Sequence, residues 1–409
     1  MDVVAYARSE HHGDALSIET GENASLRALA GMDWDFAGAK TNYLTHRLHP
    51  YPAKFIPQIP NALIQELSRV GDTVGDIFCG SGTTLVESLT LKRNAVGIDA
   101  SPLACLIARA KTTILSEEGR RELLCVIQKV RQMAEGAQAS SSALPGVISA
   151  AWRPAFPKLS FWFEDFIIEE LAEALQICRA IASPEARTVA LASFSSIVVT
   201  VSRQDSDTRY VRRDKGTVPG DAFKRFARAL EQSLEVVAEF TDIVEPRFSC
   251  TIVEKNLLLK PDVPILDLVV CSPPYPNAFS YHLYHMTRMI WLGMDQPRFK
   301  AEEIGSHRKY SKRGPGAATV ETFQKEFSSI LSWLSGRLRR GKYACFVVGD
   351  STLAGKRVSN ADVISEAGRA AGFREAARID RHMQATKKSF NPAIGKIKTE
   401  QILILENVG

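Results

Sequence analysis

Short apolar runs, closed by glycine, proline or an acid, recur along the chain and alternate with stretches of helical spacing. Residues 72–78 and 95–98 form two such runs, and 248–253, 265–271, 343–348, 373–379 and 401–405 form five more. Runs this short and this rich in Val, Ile and Leu read as buried strands of a largely parallel sheet. Between them, apolar residues fall on one helical face in 58–69 (Ile59, Leu63, Ile64, Leu67), and helices are expected over 85–92, 101–111, 277–292, 321–340 and 362–371. The alternation predicts an α/β fold with a Rossmann-like sheet. The rhythm stops between 112 and 245. An amphipathic helix over 117–139, a Ser-rich linker at 140–146, helical pattern over 165–201 and a long helix from 221 to about 241 predict a largely helical insertion there. Three regions follow: a loosely held N-terminal arm with the first half-sheet over 1–111, the insertion over 112–245, and the second half-sheet over 246–409.

Two strand ends carry chemistry. After the first strand comes Cys79-Gly80-Ser81-Gly82-Thr83-Thr84, then a helix. Strand, glycine turn and helix form the opening of a nucleotide site, because glycine lets backbone approach a ligand closely. The turn has no Gly-Lys-Ser/Thr, which disfavours a triphosphate, and no third glycine of a dinucleotide fingerprint. The second strand ends at Asp99, an acid placed to hold both hydroxyls of a ribose. The ligand expected is an adenosine with no phosphate at the turn, and S-adenosylmethionine fits that better than NAD.

The fourth strand ends in Ser272-Pro273-Pro274-Tyr275. Two prolines, with fixed φ and no amide hydrogen, make a stiff turn where open α/β sheets place ligands. The turn offers a hydroxyl, free carbonyls and an aromatic face. These suit an exocyclic amino group on a planar base. Ser272 Oγ and the Pro273 carbonyl would accept its hydrogens while Tyr275 stacks on the ring.

Charge and composition narrow the partners. The chain of 409 residues carries a net charge of +5 and is 45% apolar, with no apolar run of transmembrane length and no signal-peptide pattern, so a cytoplasmic protein is expected. Seven scattered cysteines without a C-x-x-C pair disfavour a zinc site or disulfide framework, and no metal is expected. Residues 203–228 hold eight Lys or Arg against four Asp, and the 295–317 loop holds a second basic group. Arg203, Arg209, Arg212 and Arg213 in the first, and Arg308, Lys309, Lys312 and Arg313 in the second, are candidates to face a phosphate backbone. Trp162 and its aromatic neighbours read as core of the insertion rather than a stacking platform. Cys271 reads as a core residue, and Cys79 as lining of the turn.

Taken together, these motifs resemble the amino-group DNA methyltransferases, in the branch that methylates cytosine N4. Phe78 to Thr84, preceded by Asp76, is similar to that family's cofactor loop. Asp99 matches its ribose-binding acid, and Ser272 to Tyr275 its catalytic tetrapeptide. The segment 49–56 is similar to the part that borders the methionine end of the cofactor, which brings in Lys54 and Phe55, and Asn256 follows the third strand on the cofactor side. The resemblance implies S-adenosyl-L-methionine as cofactor, double-stranded DNA as partner and rotation of the target base out of the duplex, and leaves a cognate restriction endonuclease open. On that resemblance 1–111 is the cofactor half, 246–409 the catalytic half, and 112–245 a candidate target-recognition region. Ser272 favours cytosine N4. Adenine N6 is the alternative, and RNA or a protein amide stands behind it. Cytosine C5 is disfavoured, since no Pro-Cys pair supplies a thiol.

Overall fold

The structure is a computed structural model and describes residues 24–139, 150–207, 209–276, 279–311, 317–353, 355–382 and 399–409. Seven strands form the main sheet: β1 (Thr73–Asp76), β2 (Asn94–Asp99), β3 (Cys250–Glu254), β4 (Leu266–Cys271), β5 (Leu338–Gly349), β6 (Phe373–His382) and β7 (Thr399–Asn407). Their spatial order is β6-β7-β5-β4-β1-β2-β3. β1 pairs in parallel with β2 and β4, β2 with β3, and β4 with β5, whereas β7 runs antiparallel between β5 and β6. This is the Rossmann-like sheet that the alternation predicts. The chain builds outward from β1 to β2 and β3, then returns to the other side of β1 for β4. The strand order reverses between β1 and β4, so their carboxyl ends open a crevice at the switch point.

The strands are buried on both faces, so they read as apolar runs rather than alternating ones. Val74, Leu268, Val270, Cys345 and Val347 face one helical layer, and Ile77, Val269, Cys271, Phe346 and Val348 the other. Helices α1 (Ala24–Ala30) and α2 (Gln58–Leu67) cover the first face. The arm is therefore not loose where it is described. Leu29 and Trp34 are buried against α2 and the sheet, and the Trp34 indole donates to Leu29 O at 2.8 Å. Two apolar anchors spaced five residues apart were too sparse a pattern to mark a helix.

Helix α3 (Thr83–Thr90) follows the glycine turn, and α4 (Pro102–Lys111) follows β2. Ser101 caps α4 through its hydroxyl, and Pro102 occupies the first turn, where its missing N–H costs nothing. Beyond α4 the chain leaves the sheet for α5 (Glu117–Ala139), α6 (Asp165–Ala180), α7 (Pro184–Val201) and α8 (Asp221–Ile243). These helices enclose a core of their own, built on Trp162, Phe163, Phe194, Phe226 and Leu230. Truncating a side chain such as the fully buried Phe194 to Ala would cost about 3–5 kcal/mol. Trp162 and Phe163 are core, while Trp152 and Phe161 are exposed. Trp291 of α9 (Met286–Leu292) enters the same core, its ring 5.7 Å from Phe163 and 6.4 Å from Phe194.

Several expected boundaries move. The basic segment is a two-stranded hairpin, Gln204–Ser206 with Arg209–Arg212, rather than an irregular stretch. Its pairing is imposed by tertiary anchors, not by an alternating pattern. The helix expected over 277–292 divides into Tyr281–Tyr284 and α9, and the loop expected over 295–317 holds two short helices, Gln296–Glu302 and His307–Tyr310. α10 (Val320–Ser335) stops short of 340 because Leu266 N donates to Arg337 O at 2.7 Å, which draws the chain into β5. α11 (Asn360–Ala370) precedes β6. The expected linker at 140–146 and most of the basic loop before β7 lie outside the described residues.

Candidate active site

The glycine turn after β1 is fixed by bonds within itself and to β2, the next strand. Cys79 N donates to Ile98 O and Gly82 N to Cys79 O, at 2.9 and 2.7 Å. Gly80 and Gly82 have φ of 48° and 81°, the left-handed region that favours glycine, and a methyl on Gly82 would come 3.0 Å from Ala108 of α4. Asp99 closes the turn. Its two oxygens accept from Gly80 N at 2.9 Å and Ser101 N at 2.8 Å. Each oxygen keeps lone-pair capacity, and the carboxyl is only half-buried. Two acceptors beside a close-approach turn fit the two hydroxyls of a ribose. Asp76, fully buried behind the turn, accepts from Phe78 N at 3.1 Å.

Burial raises both acids. The Asp99 carboxyl is pushed up to about 6 and that of Asp76 to about 7, each held back by the hydrogen bonds it accepts. Burial also drives the Cys79 and Cys271 thiols well above their ordinary range, so neither is a thiolate nucleophile. Phe78 stacks on Phe327 at 6.0 Å, and Phe55 packs against the core that includes α2.

The tetrapeptide leaves β4 beside this turn. Thr84 Oγ1 donates to Val270 O at 3.1 Å, which ties the start of α3 directly to the strand that carries Ser272. The sequence-predicted residues Asp76, Phe78–Thr84, Asp99 and Ser272–Tyr275 are thus brought to one crevice. The Tyr275 hydroxyl reaches Val347 O at 3.2 Å and Glu400 Oε1 at 3.4 Å. Burial, the Glu400 charge and the nearby Ser272 hydroxyl act on that phenol, and the net shift is upward, so it stays protonated. Glu400 in turn accepts from the buried Arg381 at 2.6 Å, whose Nε donates to Trp34 O.

A second set of supports was not visible in the sequence. Gly305, at φ +74°, lies under the tetrapeptide, where a methyl would meet Tyr275 O at 2.9 Å and Pro274 Cβ at 3.1 Å. Glu303 accepts from Tyr281 N and pairs with His282, while His307 N donates to Phe279 O and Arg308 N to Ser280 Oγ. Residues 303–308 therefore buttress the segment after the tetrapeptide. That segment supplies an aromatic wall. Tyr281 stacks on Tyr51 at 5.9 Å, and His285 lies 5.0 Å from Tyr51, whose ring covers Gly80.

Other predicted residues are bonded within the fold. Asn256 caps the Leu257–Leu259 turn through its side-chain oxygen and donates to Glu302 O at 3.1 Å. Lys54 Nζ donates to His46 O at 2.9 Å. Arg203 is bound by Glu164 and Ser160 O, and Lys309 by Glu326. Arg209, Arg212 and Arg213 are exposed on the hairpin, two of them sharing Asp205 and the third lying over Phe161 at 5.0 Å. Arg308 is exposed on the buttress, and Lys312 and Arg313 lie outside the described residues. The hairpin is docked on α9 by Thr287, which donates to Gln204 Oε1, and by the fully buried Arg288, which pairs with Asp207.

Comparison with known proteins fits this geometry. Residues 19–110 match the family model described as DNA methylase, a stretch that includes the glycine turn and Asp99. Over that stretch the chain is similar to the amino-group DNA methyltransferases. It is 26% identical to the type II methyltransferase M.MvaI of Kocuria varians over 308 residues, which is 70% of this chain and 64% of that protein. Over 86 residues, 20% of this chain and 16% of the relative, it is 43% identical to the type II methyltransferase M.MjaII of Methanocaldococcus jannaschii. Over 52 residues, 13% of this chain and 15% of the relative, it is 48% identical to the type II methyltransferase M.BglI of Bacillus subtilis. The chain spans less than two thirds of the length of each. The family match implies S-adenosyl-L-methionine as methyl donor, in accord with an acid-and-glycine cradle. Among the described residues no helix is long and apolar enough to cross a membrane.

Proposed function

We propose that this chain methylates an exocyclic amino group in double-stranded DNA, at cytosine N4 in preference to adenine N6. The observation that carries the reading is the meeting, at one switch point, of the acid-and-glycine cradle with Ser272-Pro273-Pro274-Tyr275. When bound, S-adenosylmethionine supplies a methyl group already activated as a sulfonium. The chain's own work is then alignment. Asp99 would accept both ribose hydroxyls, with Gly80 and Gly82 allowing the ligand's close approach. Lys54 would border its methionine end. The target base would be rotated out of the duplex against Tyr275, whose ring is held by Val347 O and Glu400. Ser272 Oγ and the Pro273 carbonyl would accept the two amino hydrogens and so favour a tetrahedral nitrogen with its lone pair free. No strong base is required, since the amino proton becomes acidic only after methylation.

Arg209, Arg212, Arg213 and Arg308, all exposed beside this segment, would meet phosphates. The hairpin's anchorage on α9 favours it as part of the target-recognition surface. Ser272 at the head of the tetrapeptide supports cytosine N4. The test is incubation of unmodified duplex DNA with labelled S-adenosylmethionine, digestion to nucleosides and mass spectrometry. N4-methylcytosine is the expected product. N6-methyladenine would keep the site and overturn the base assignment, and the absence of any modified nucleoside would overturn the activity.

A further inference from the structure

One group beside the glycine turn has no place in the chemistry above. Lys111, at the end of α4, has no exposed surface, and among the described residues its amine has one bonded partner, the hydroxyl of Ser81, at 3.2 Å. Ser81 is the central residue of the glycine turn and is itself buried. Among the described residues no carboxylate pairs with Lys111 or with Lys54. A buried lysine without a counter-ion is costly and is retained neutral, or is matched by an anion that arrives later.

The surroundings are basic. Lys54, half-buried, has its amine on His46 O, and the buried His46 and His49 complete the group. Among the described residues Glu87 is the one carboxylate bonded in this cluster, and it is engaged by His46, Tyr43 and Asn61. His49 is held between Pro50 O and Ser195 Oγ, and Arg288, itself paired with Asp207, lies near enough to disfavour its protonation. Burial, with Lys54 beside it, drives the Lys111 amine well below its ordinary range.

We propose that Lys54, Ser81 and Lys111 form the receptor for the carboxylate of the ligand's amino-acid tail, with Lys111 taking up a proton from solvent as that carboxylate arrives. The inference rests on the S-adenosylmethionine reading given above. Lys54 makes the direct contact. Lys111 is a positioning residue, acting through Ser81. A neutral amine can accept the Ser81 O–H, whereas an ammonium group has no acceptor and can only donate to Ser81 Oγ. Protonation therefore turns the Ser81 hydrogen away from Lys111 and toward the anion. One proton moves from solvent to Nζ, and no covalent bond forms or breaks.

The experiment is calorimetric titration of the full chain with S-adenosylhomocysteine, which keeps the tail, and methylthioadenosine, which lacks it, in buffers of different ionisation enthalpy. The expected result for the unaltered chain is uptake of about one proton with S-adenosylhomocysteine and none with methylthioadenosine. In Lys111→Met the uptake disappears and S-adenosylhomocysteine binds at least about tenfold more weakly, while methylthioadenosine affinity is unchanged. A thermal melt of the ligand-free variant, expected to match or exceed the parent, separates this from misfolding. Equal proton counts for the two ligands on the unaltered chain would overturn the inference and leave the cofactor reading intact. Failure of both ligands to bind would overturn the cofactor reading and this inference with it.

Discussion

The two loops that meet at the switch point are held in opposite ways. The glycine turn after β1 is bonded mostly within itself and to the end of the next strand, Asp76 to Phe78, Gly80 to Asp99 and Asp99 to Ser101, with Thr84 Oγ1 reaching Val270 O. The tetrapeptide after β4 is held by distant ones. Gly305 lies beneath it, Val347 and Glu400 hold its tyrosine, and Arg381 holds Glu400. A ligand-binding turn can be self-contained because its ligand is always the same. On the proposed reading, a turn that presents hydrogen-bond acceptors to an incoming base takes its rigidity from the sheet and from the segment that follows it.

That contrast can be attacked from the tetrapeptide side first. Ser272→Ala should reduce single-turnover methyl transfer by about 10²–10³, the scale for one removed acceptor or donor at a reacting centre, with S-adenosylhomocysteine affinity unchanged. A full rate in this variant would remove Ser272 from the reaction. Gly305→Ala should come next. The new methyl would sit 2.9 Å from Tyr275 O in a backbone region that disfavours alanine, so transfer should fall by roughly tenfold to a hundredfold through displaced geometry. Glu400→Gln keeps a hydrogen-bonding side chain but removes the charge that Arg381 pairs with. A rise of a few-fold in KM for DNA, with cofactor affinity steady, is expected from about 1 kcal/mol of lost positioning. An unchanged KM would show that Val347 O alone holds the ring.

A different kind of effect concerns pH. The Asp76 carboxyl is raised from its ordinary 3.8 to about 7, so between those values the folded chain holds more protons than the unfolded one. Stability from this group is therefore full at acid pH and lost as pH rises through about 7. Denaturant unfolding at pH 5 and pH 8 should show the unaltered chain losing stability toward pH 8, and Asp76→Asn losing less of it. An equal loss in both would mean that Asp76 is not the group responsible.

The same contrast explains what could be read from the sequence. The strands were legible because a strand buried on both faces is written as an apolar run, as in Leu266–Cys271. The glycine turn was legible because most of its partners lie within it or at the end of the next strand. The tetrapeptide was legible as a motif, but its supports were not, since nothing near Ser272 points to Gly305 or Glu400. The hairpin was hidden for a related reason. Gln204 and Asp207 take their places from Thr287 and Arg288, about eighty residues on. Trp34 looked like part of a loose arm until β6 and β7 supplied the surface it packs against.

The central claim is that the two loops are separately held and do separate work. The most direct test measures two quantities on two variants, Asp99→Ala from the glycine side and Gly305→Ala from the tetrapeptide side. The quantities are S-adenosylhomocysteine affinity and single-turnover methyl transfer at saturating S-adenosylmethionine. The account predicts that Asp99→Ala weakens affinity by about tenfold or more and largely recovers its rate at saturation, while Gly305→Ala keeps affinity and loses rate. If both variants lose affinity and rate together, the loops act as one unit and the division argued here is wrong.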